Sequence, residues 1–323
     1  MTNQSKIDYS IALMQKAEPL ALQLDPENGF HLAFSGGKDS IVMHRLAQMA
    51  GIKFKAHMQA TTLDPPEVMK FVRSQYSDVQ LHRPAINFFE LIKKKMMLPL
   101  RQARYCCQYL KEQSGAGTVT LIGIRADESI RRSKRNEAEI KGYKYSNTLD
   151  QFNIDLESKV VCVKGKDKVL LSPIFRWTNN EIWSFIRENN LAYPKLYDEG
   201  YTRVGCMFCP MATKKSKQRD RMRYPGVERK IKESIQYMIE NFQYCNKYHA
   251  TADEVFDWWI SNDSADKYFQ NLRFQRKIEF EDDLNKSFRT GGTFQLNPLF
   301  VAEMMGFPPE WLTSPFQNGD GNQ

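Results

Sequence analysis

"HLAFSGGKDSIVMHRLAQ" (residues 31–48) sets two glycines, a lysine and an acid between an apolar run and a helical pattern. Phe30–Phe34 reads as a short buried strand, and from Ser40 the apolar Ile41, Val42 and Leu46 fall at helical spacing. A glycine pair at a strand-to-helix turn lets backbone N–H groups approach a ligand closely. The free N–H groups and positive dipole end of the helix then favour an anion. Lys38 adds a full charge, and Ser35 and Ser40 add hydroxyl donors. Phosphate suits this chemistry. The nucleoside-triphosphatase loop is excluded, because it needs Gly, four residues, then Gly-Lys-Ser/Thr. Here Asp39 follows Gly37-Lys38, and Leu32 stands where the first glycine would be.

The surrounding pattern alternates. Residues 6–24 read as a leading helix, 53–61 as a strand, and 65–76 as a helix with proline in its first turn. Residues 79–84, 118–125 and 168–174 supply further strands, and 178–190 a helix with a capping signal at Thr178 and Glu181. Strands alternating with helices predict an α/β fold with a doubly wound parallel sheet, here with a helical C-terminal extension. Ligands of such sheets sit beyond the carboxyl ends of the strands, where residues 35–40 emerge. The expected division is an N-terminal helix (1–27), a nucleotide-binding domain (28–212) and a basic helical region (213–323).

The chain has 323 residues, 41% hydrophobic and 12% aromatic, which excludes disorder. No apolar run nears a membrane span, and Lys6, Asp8, Lys16 and Glu18 interrupt any signal-peptide core. A cytoplasmic protein without membrane contact is expected. The oligomeric state is not legible. Six cysteines without secretion signals point to metal or redox chemistry rather than a disulfide framework. Cys106 and Cys107 are adjacent, and Cys206 and Cys209 form a CxxC. Four thiolates suit tetrahedral zinc or an iron–sulfur cluster. A CxxC alone could be a redox pair, and buried thiols could simply pack. Cys162 and Cys245 carry no motif.

The net charge is +8, and much of it is local. Lys214, Lys215, Lys217, Arg219, Arg221, Arg223, Arg229, Lys230 and Lys232 face only Asp220 and Glu228 between residues 211 and 232. Such a run is either a solvated helix face or a surface for a phosphate-rich partner. Lys214, Lys215, Lys217 and Arg219 are the candidate nucleic-acid contacts, with Tyr224 able to stack on a base and Phe208 better suited to the core.

The loop Ser35-Gly36-Gly37-Lys38-Asp39-Ser40 resembles the pyrophosphate loop (PP-loop) of ATP-pyrophosphatases and sulfonucleotide (APS/PAPS) reductases, the adenine nucleotide alpha-hydrolase-like superfamily. A Cys-Cys pair far upstream of a CxxC resembles the iron–sulfur branch of the PAPS reductase family. "GIRADESIRRSKR" (123–135) looks like that family's second nucleotide loop, with Gly123 and Arg125 as nucleotide-binding candidates. "SPIFRWTNNEIWSFI" (172–186) and "YPKLYDEGYTRVGCMFCP" (193–210) match its later regions. The resemblance implies an adenine nucleotide (ATP, or APS/PAPS) with Mg²⁺, the loop holding pyrophosphate and Arg125 facing the phosphates. It also implies a [4Fe–4S] cluster on Cys106, Cys107, Cys206 and Cys209. Lys38 and Asp39 become candidate catalytic residues, Asp39 holding Mg²⁺ or fixing the loop.

The reductases attack sulfur with a cysteine in a C-terminal Glu-Cys-Gly-x-His segment, which this sequence lacks. Cys245 is the remaining candidate nucleophile. The loop and four cysteines without that segment are similar to Dnd-type DNA phosphorothioation sulfurtransferases, and "TTLDPPEV" (61–68) resembles their strand end, with Thr61 at the nucleotide. "GGTFQLNPLFVAEMMGFPPEW" (291–311) looks like the close of phage-type DNA methyltransferases, or reads as a helix capped by Gly306 and stopped by Pro308-Pro309. The expected function is ATP-dependent thiolation of nucleic acid. The alternatives are an APS/PAPS reductase with a non-standard nucleophile and a non-catalytic subunit of a DNA-modification or defence complex.

Overall fold

In the computed structural model, the described residues are 3–112, 114–141, 168–241 and 250–290. Cys162, Cys245 and the 291–311 segment lie outside them. The chain divides into two compact units, residues 1–260 and 261–323.

The first unit holds a six-stranded sheet: β1 (Phe30–Ala33), β2 (Phe54–Gln59), β3 (Gln80–His82), β4 (Val119–Leu121), β5 (Ala138–Lys141) and β6 (Lys168–Leu171). The order is β3-β2-β1-β4-β6-β5. Every pairing is parallel except β5 with β6, so the doubly wound expectation holds with an antiparallel edge added. That edge strand, Ala-Glu-Ile-Lys, is too short for alternation to announce it.

The chain winds one way from β1 to β2 and β3, and the other way to β4 and β6. The crevice beside the carboxyl end of β1 is therefore the topological switch point. Phe30 and Leu32 are fully buried in β1, and Ile41, Val42 and Leu46 of the helix Lys38–Ala50 pack into the same core. The leading helix Asn3–Leu24 buries Met14 and Ala21 there as well. In the helix Asn179–Glu188, Thr178 and Glu181 form the reciprocal cap that their spacing predicts.

A second apolar cluster gathers Phe88, Leu91 and Ile92 of the helix Phe88–Lys95 with Met207 and Phe208 beside the CxxC. Ile231 and Ile235 of the helix Pro225–Asn241 and Phe256 and Trp259 of the helix Ala252–Ser261 complete it. These helices belong to the same compact unit as the sheet. In the second unit the described part is the helix Ala265–Thr290.

Candidate functional site

The loop leaves β1 through Gly36, whose φ of +70° is a left-handed conformation that side chains resist. A Cβ there would lie 2.8 Å from Val68 Cγ1 and 2.9 Å from Val72 Cγ2, on the helix Pro66–Gln75. Gly37 differs. Its backbone is extended (φ −86°, ψ 160°), and a Cβ would meet its nearest neighbour, Tyr197 Oη, at 3.4 Å. Of the glycine pair, Gly36 makes the turn and Gly37 begins the helix.

Hydroxyls hold the loop's shape. Ser40 Oγ donates to the Gly37 carbonyl at 2.8 Å and accepts from the Ser35 N–H at 3.2 Å. The Ser35 and Ser40 hydroxyls are 3.2 Å apart. The Lys38 N–H, first in the helix and a natural anion donor, gives its hydrogen bond to Tyr197 Oη at 3.0 Å. Tyr197 stands 159 residues away, inside the 193–210 stretch, where nothing in the sequence assigns it a role at the loop. Its phenol is pushed up to about 12, chiefly by burial, so it remains a neutral O–H. Trp183 fixes its ring by an edge contact at 5.1 Å.

Asp39 accepts from Arg125 Nε at 2.6 Å and from Lys38 Nζ at 3.2 Å. Arg125 is 3% exposed and also donates to Asp127 and to the Trp177 carbonyl, each at 3.3 Å. Arg125 thus holds Asp39 beside the loop, and Asp39 ties the loop to the β4 end. Gly123 lets the β4 end approach, since a Cβ there would lie 3.2 Å from Asp39 Cβ. Burial lowers the Lys38 ammonium, against the opposing pull of Asp39.

The four cysteines come from the helix Tyr105–Leu110 and the 206–209 turn, and all are half-buried. They act on one another. Cys106 is raised first by its hydrogen bond with Cys107 and by burial, then by Cys206 and Cys209. Cys107 is drawn down to about 6 by that same bond, helped by Lys111 and Arg104. Lys111 hydrogen-bonds Cys206; burial works against its charge, but Cys206 and Asp64 outweigh it and raise it. Among the described residues no three His, Cys, Asp or Glu side chains form a ready single-ion chelate.

Thr61 is buried, and its hydroxyl meets Cys206 Sγ at 3.4 Å, so it bridges the β2 end to the cysteines. Phe208 adopts φ +52° inside the CxxC and donates its N–H to Asp220 at 2.9 Å. Asp220, counted in the sequence only as an isolated acid, therefore anchors that turn.

Much of the basic segment's charge is paired or buried within the fold. Lys217, in the helix Lys214–Arg223, is 1% exposed and donates to the Trp259 carbonyl at 3.0 Å. Arg219 lies over the Tyr201 ring at 3.8 Å. Arg221 pairs with Glu228 and Asp257, Arg223 with Glu67 and Glu199, and Lys232 with Glu228 and Asp253. Tyr224 is buried and donates to Glu67, out of reach of a base. Of the four expected nucleic-acid contacts, Lys217 is buried and Arg219 lies over Tyr201, while Lys214 and Lys215 are exposed.

A model of the phosphoadenosine phosphosulfate reductase domain matches residues 29–212. The chain is 24% identical to an uncharacterized protein of Methanocaldococcus jannaschii over 71% of this chain and 44% of that protein. It is 28% identical to the adenosine 5'-phosphosulfate reductase of Oceanobacillus iheyensis over 40% and 47%, respectively. It is also 28% identical to a probable FAD synthase of Schizosaccharomyces pombe over 54% and 57%. The chain thus spans about half the length of these relatives. Among solved structures, a PAPS reductase from Candida auris in a phosphate complex aligns over 60% of this chain and 87% of that chain, at 17% identity and a TM-score of 0.39.

Proposed function

The chain belongs to the phosphoadenosine phosphosulfate reductase domain family, and we propose that within it the chain is an adenine-nucleotide enzyme that transfers sulfur. Loop 35–40 seats the pyrophosphate of ATP, with Mg²⁺ as counter-charge. Lys38 lies along that seat, and Asp39 keeps the loop in register through Arg125. The observation that carries the reading is Thr61: buried at the β2 end next to the loop strand, it touches Cys206, which brings the thiol set beside the nucleotide crevice.

The donor chemistry fits a [4Fe–4S] cluster. Four thiols from two segments influence one another, and a lysine beside them offsets thiolate charge. A single zinc ion, with bonds of about 2.3 Å, would need its sulfurs within about 4 Å of each other, whereas a cluster spaces them more widely. Cys106, Cys107, Cys206 and Cys209 would hold it, and it would supply a redox-active, sulfide-bearing centre. Replacing any one of the four with Ser in anaerobically prepared protein removes the visible absorbance and lowers the melting temperature, because ligation contributes folding energy. One equivalent of zinc, without iron or acid-labile sulfide, refutes the cluster.

Nucleic acid is the proposed acceptor, with Lys214 and Lys215 exposed just beyond the CxxC to receive it. Thiolation is supported by the four thiols beside the loop strand and by the exposed Lys214 and Lys215 that follow them. A second reading, reduction of APS or PAPS, is favoured by the names of several relatives.

A further inference from the structure

The charges around the loop almost cancel. Lys38 is paired with Asp39, Arg125 with Asp39 and Asp127, Arg132 with Glu128, and Arg135 with Glu139. Four cations meet four carboxylates, so this set offers an incoming anion no net attraction. Arg203 stands outside these pairs: it is exposed and, among the described residues, has no carboxylate partner.

Its position follows from its neighbours on the strap that runs from Tyr197 to the CxxC. Tyr197 Oη holds the Lys38 N–H at 3.0 Å. The carbonyl oxygen of Val204 lies 3.9 Å from where a Cβ on Gly37 would stand. Three residues past Arg203, Cys206 touches Thr61. The strap therefore forms a second wall over the loop, with Arg203 beside its glycine. Lys38 and Arg132 both sit below their ordinary values, chiefly through burial, and the Arg203 charge deepens both depressions. With Lys38 and Arg132 already paired, the Arg203 charge beside them is the one of these three left to favour an anion in the crevice.

We infer that Arg203, rather than Arg125, is the arginine that binds the anionic end of the nucleotide, and that it selects ligands carrying charge beyond a single phosphate. A triphosphate or a phosphosulfate reaches both walls, whereas a monophosphate on the loop reaches only one. The inference rests on the reading of loop 35–40 as the nucleotide site, so its test includes a loop variant.

Calorimetric titration of the full chain, prepared anaerobically, compares ATP with AMP in wild type, Lys38→Ala, Arg203→Ala and Arg203→Lys. Loss of a charge-assisted contact weakens ATP binding by Arg203→Ala about tenfold or more. AMP affinity changes much less, and Arg203→Lys recovers part of the loss because the charge remains. The melting temperature of Arg203→Ala stays at the wild-type value, since the side chain is exposed. Wild-type ATP affinity in Arg203→Ala, alongside a loss in Lys38→Ala, overturns the role of Arg203 and leaves the loop assignment standing. No ATP binding by wild type, or none lost in Lys38→Ala, overturns the loop assignment and the inference together.

Discussion

Alanine at Gly36 and alanine at Gly37 have unequal consequences, although the two glycines are adjacent in one loop. At Gly36 the new side chain must adopt φ +70°, which costs about 1–2 kcal/mol. Its Cβ would also lie 2.8 and 2.9 Å from the methyl carbons of Val68 and Val72. Both valines are buried in a packed helix, at 1% and 0% exposure, so neither can swing away. Overpacking of this kind costs a further 1–3 kcal/mol or so. The sum, about 2–5 kcal/mol, is a large share of the roughly 5–15 kcal/mol by which a typical domain is stable. At Gly37 the backbone is already extended and the nearest atom, Tyr197 Oη, lies at 3.4 Å, so alanine costs about 1 kcal/mol or less. Urea unfolding of the two variants, followed by circular dichroism, measures the difference. Equal midpoints would refute the assignment of the strained turn to Gly36.

Other perturbations separate structural from ligand-binding charges. Arg125→Ala leaves Asp39 without its closest partner and destabilises by about 3 kcal/mol; an unchanged urea midpoint contradicts the buried-pair reading. Lys217→Met leaves the salt dependence of DNA binding unchanged, whereas Lys214→Ala combined with Lys215→Ala lowers that slope by at most about 2; a reduced slope in Lys217→Met contradicts its burial. Acid destabilises the His31–His57–His82 row, in which the His31 and His57 rings stack at 4.2 Å and His57 Nδ1 lies 2.8 Å from His82 Nε2. Burial, and then the neighbouring histidines, lower His31 to about 3 and His57 to about 4. An unfolded histidine takes its proton near pH 6.5, so between those values the unfolded state binds the extra proton. Stability therefore falls as pH drops below about 6.5, approaching 1.4 kcal/mol per pH unit for His31. An equally steep fall in His31→Gln removes His31 from the account.

The loop was legible because anion binding at a helix start demands particular residue types at contiguous positions, and Ser35 to Ser40 supply all of them. The parallel, doubly wound sheet was legible because buried strands alternate with capped helices, as Thr178 and Glu181 show, whereas the strand order was not. Charge was not. Counting along the chain finds nine cations between residues 211 and 232 but cannot see Glu67, Glu199, Asp253 and Asp257 folded against them. The same limit hid Tyr197, whose role exists only because the 195–197 turn returns to the Lys38 amide. Arg125 was legible as a site residue, but its 2.6 Å pairing with Asp39, 86 residues away in the chain, was not.

Product analysis tests the central claim most directly. Anaerobically prepared protein is supplied with Mg²⁺ and ATP, APS or PAPS, with plasmid DNA and tRNA as acceptors and sulfide as sulfur donor. ATP is expected to be cleaved to AMP and pyrophosphate and sulfur to appear in nucleic acid, and Lys38→Ala to abolish both. Sulfite released from APS or PAPS, with ATP left intact, would contradict thiolation and establish the reductase reading instead.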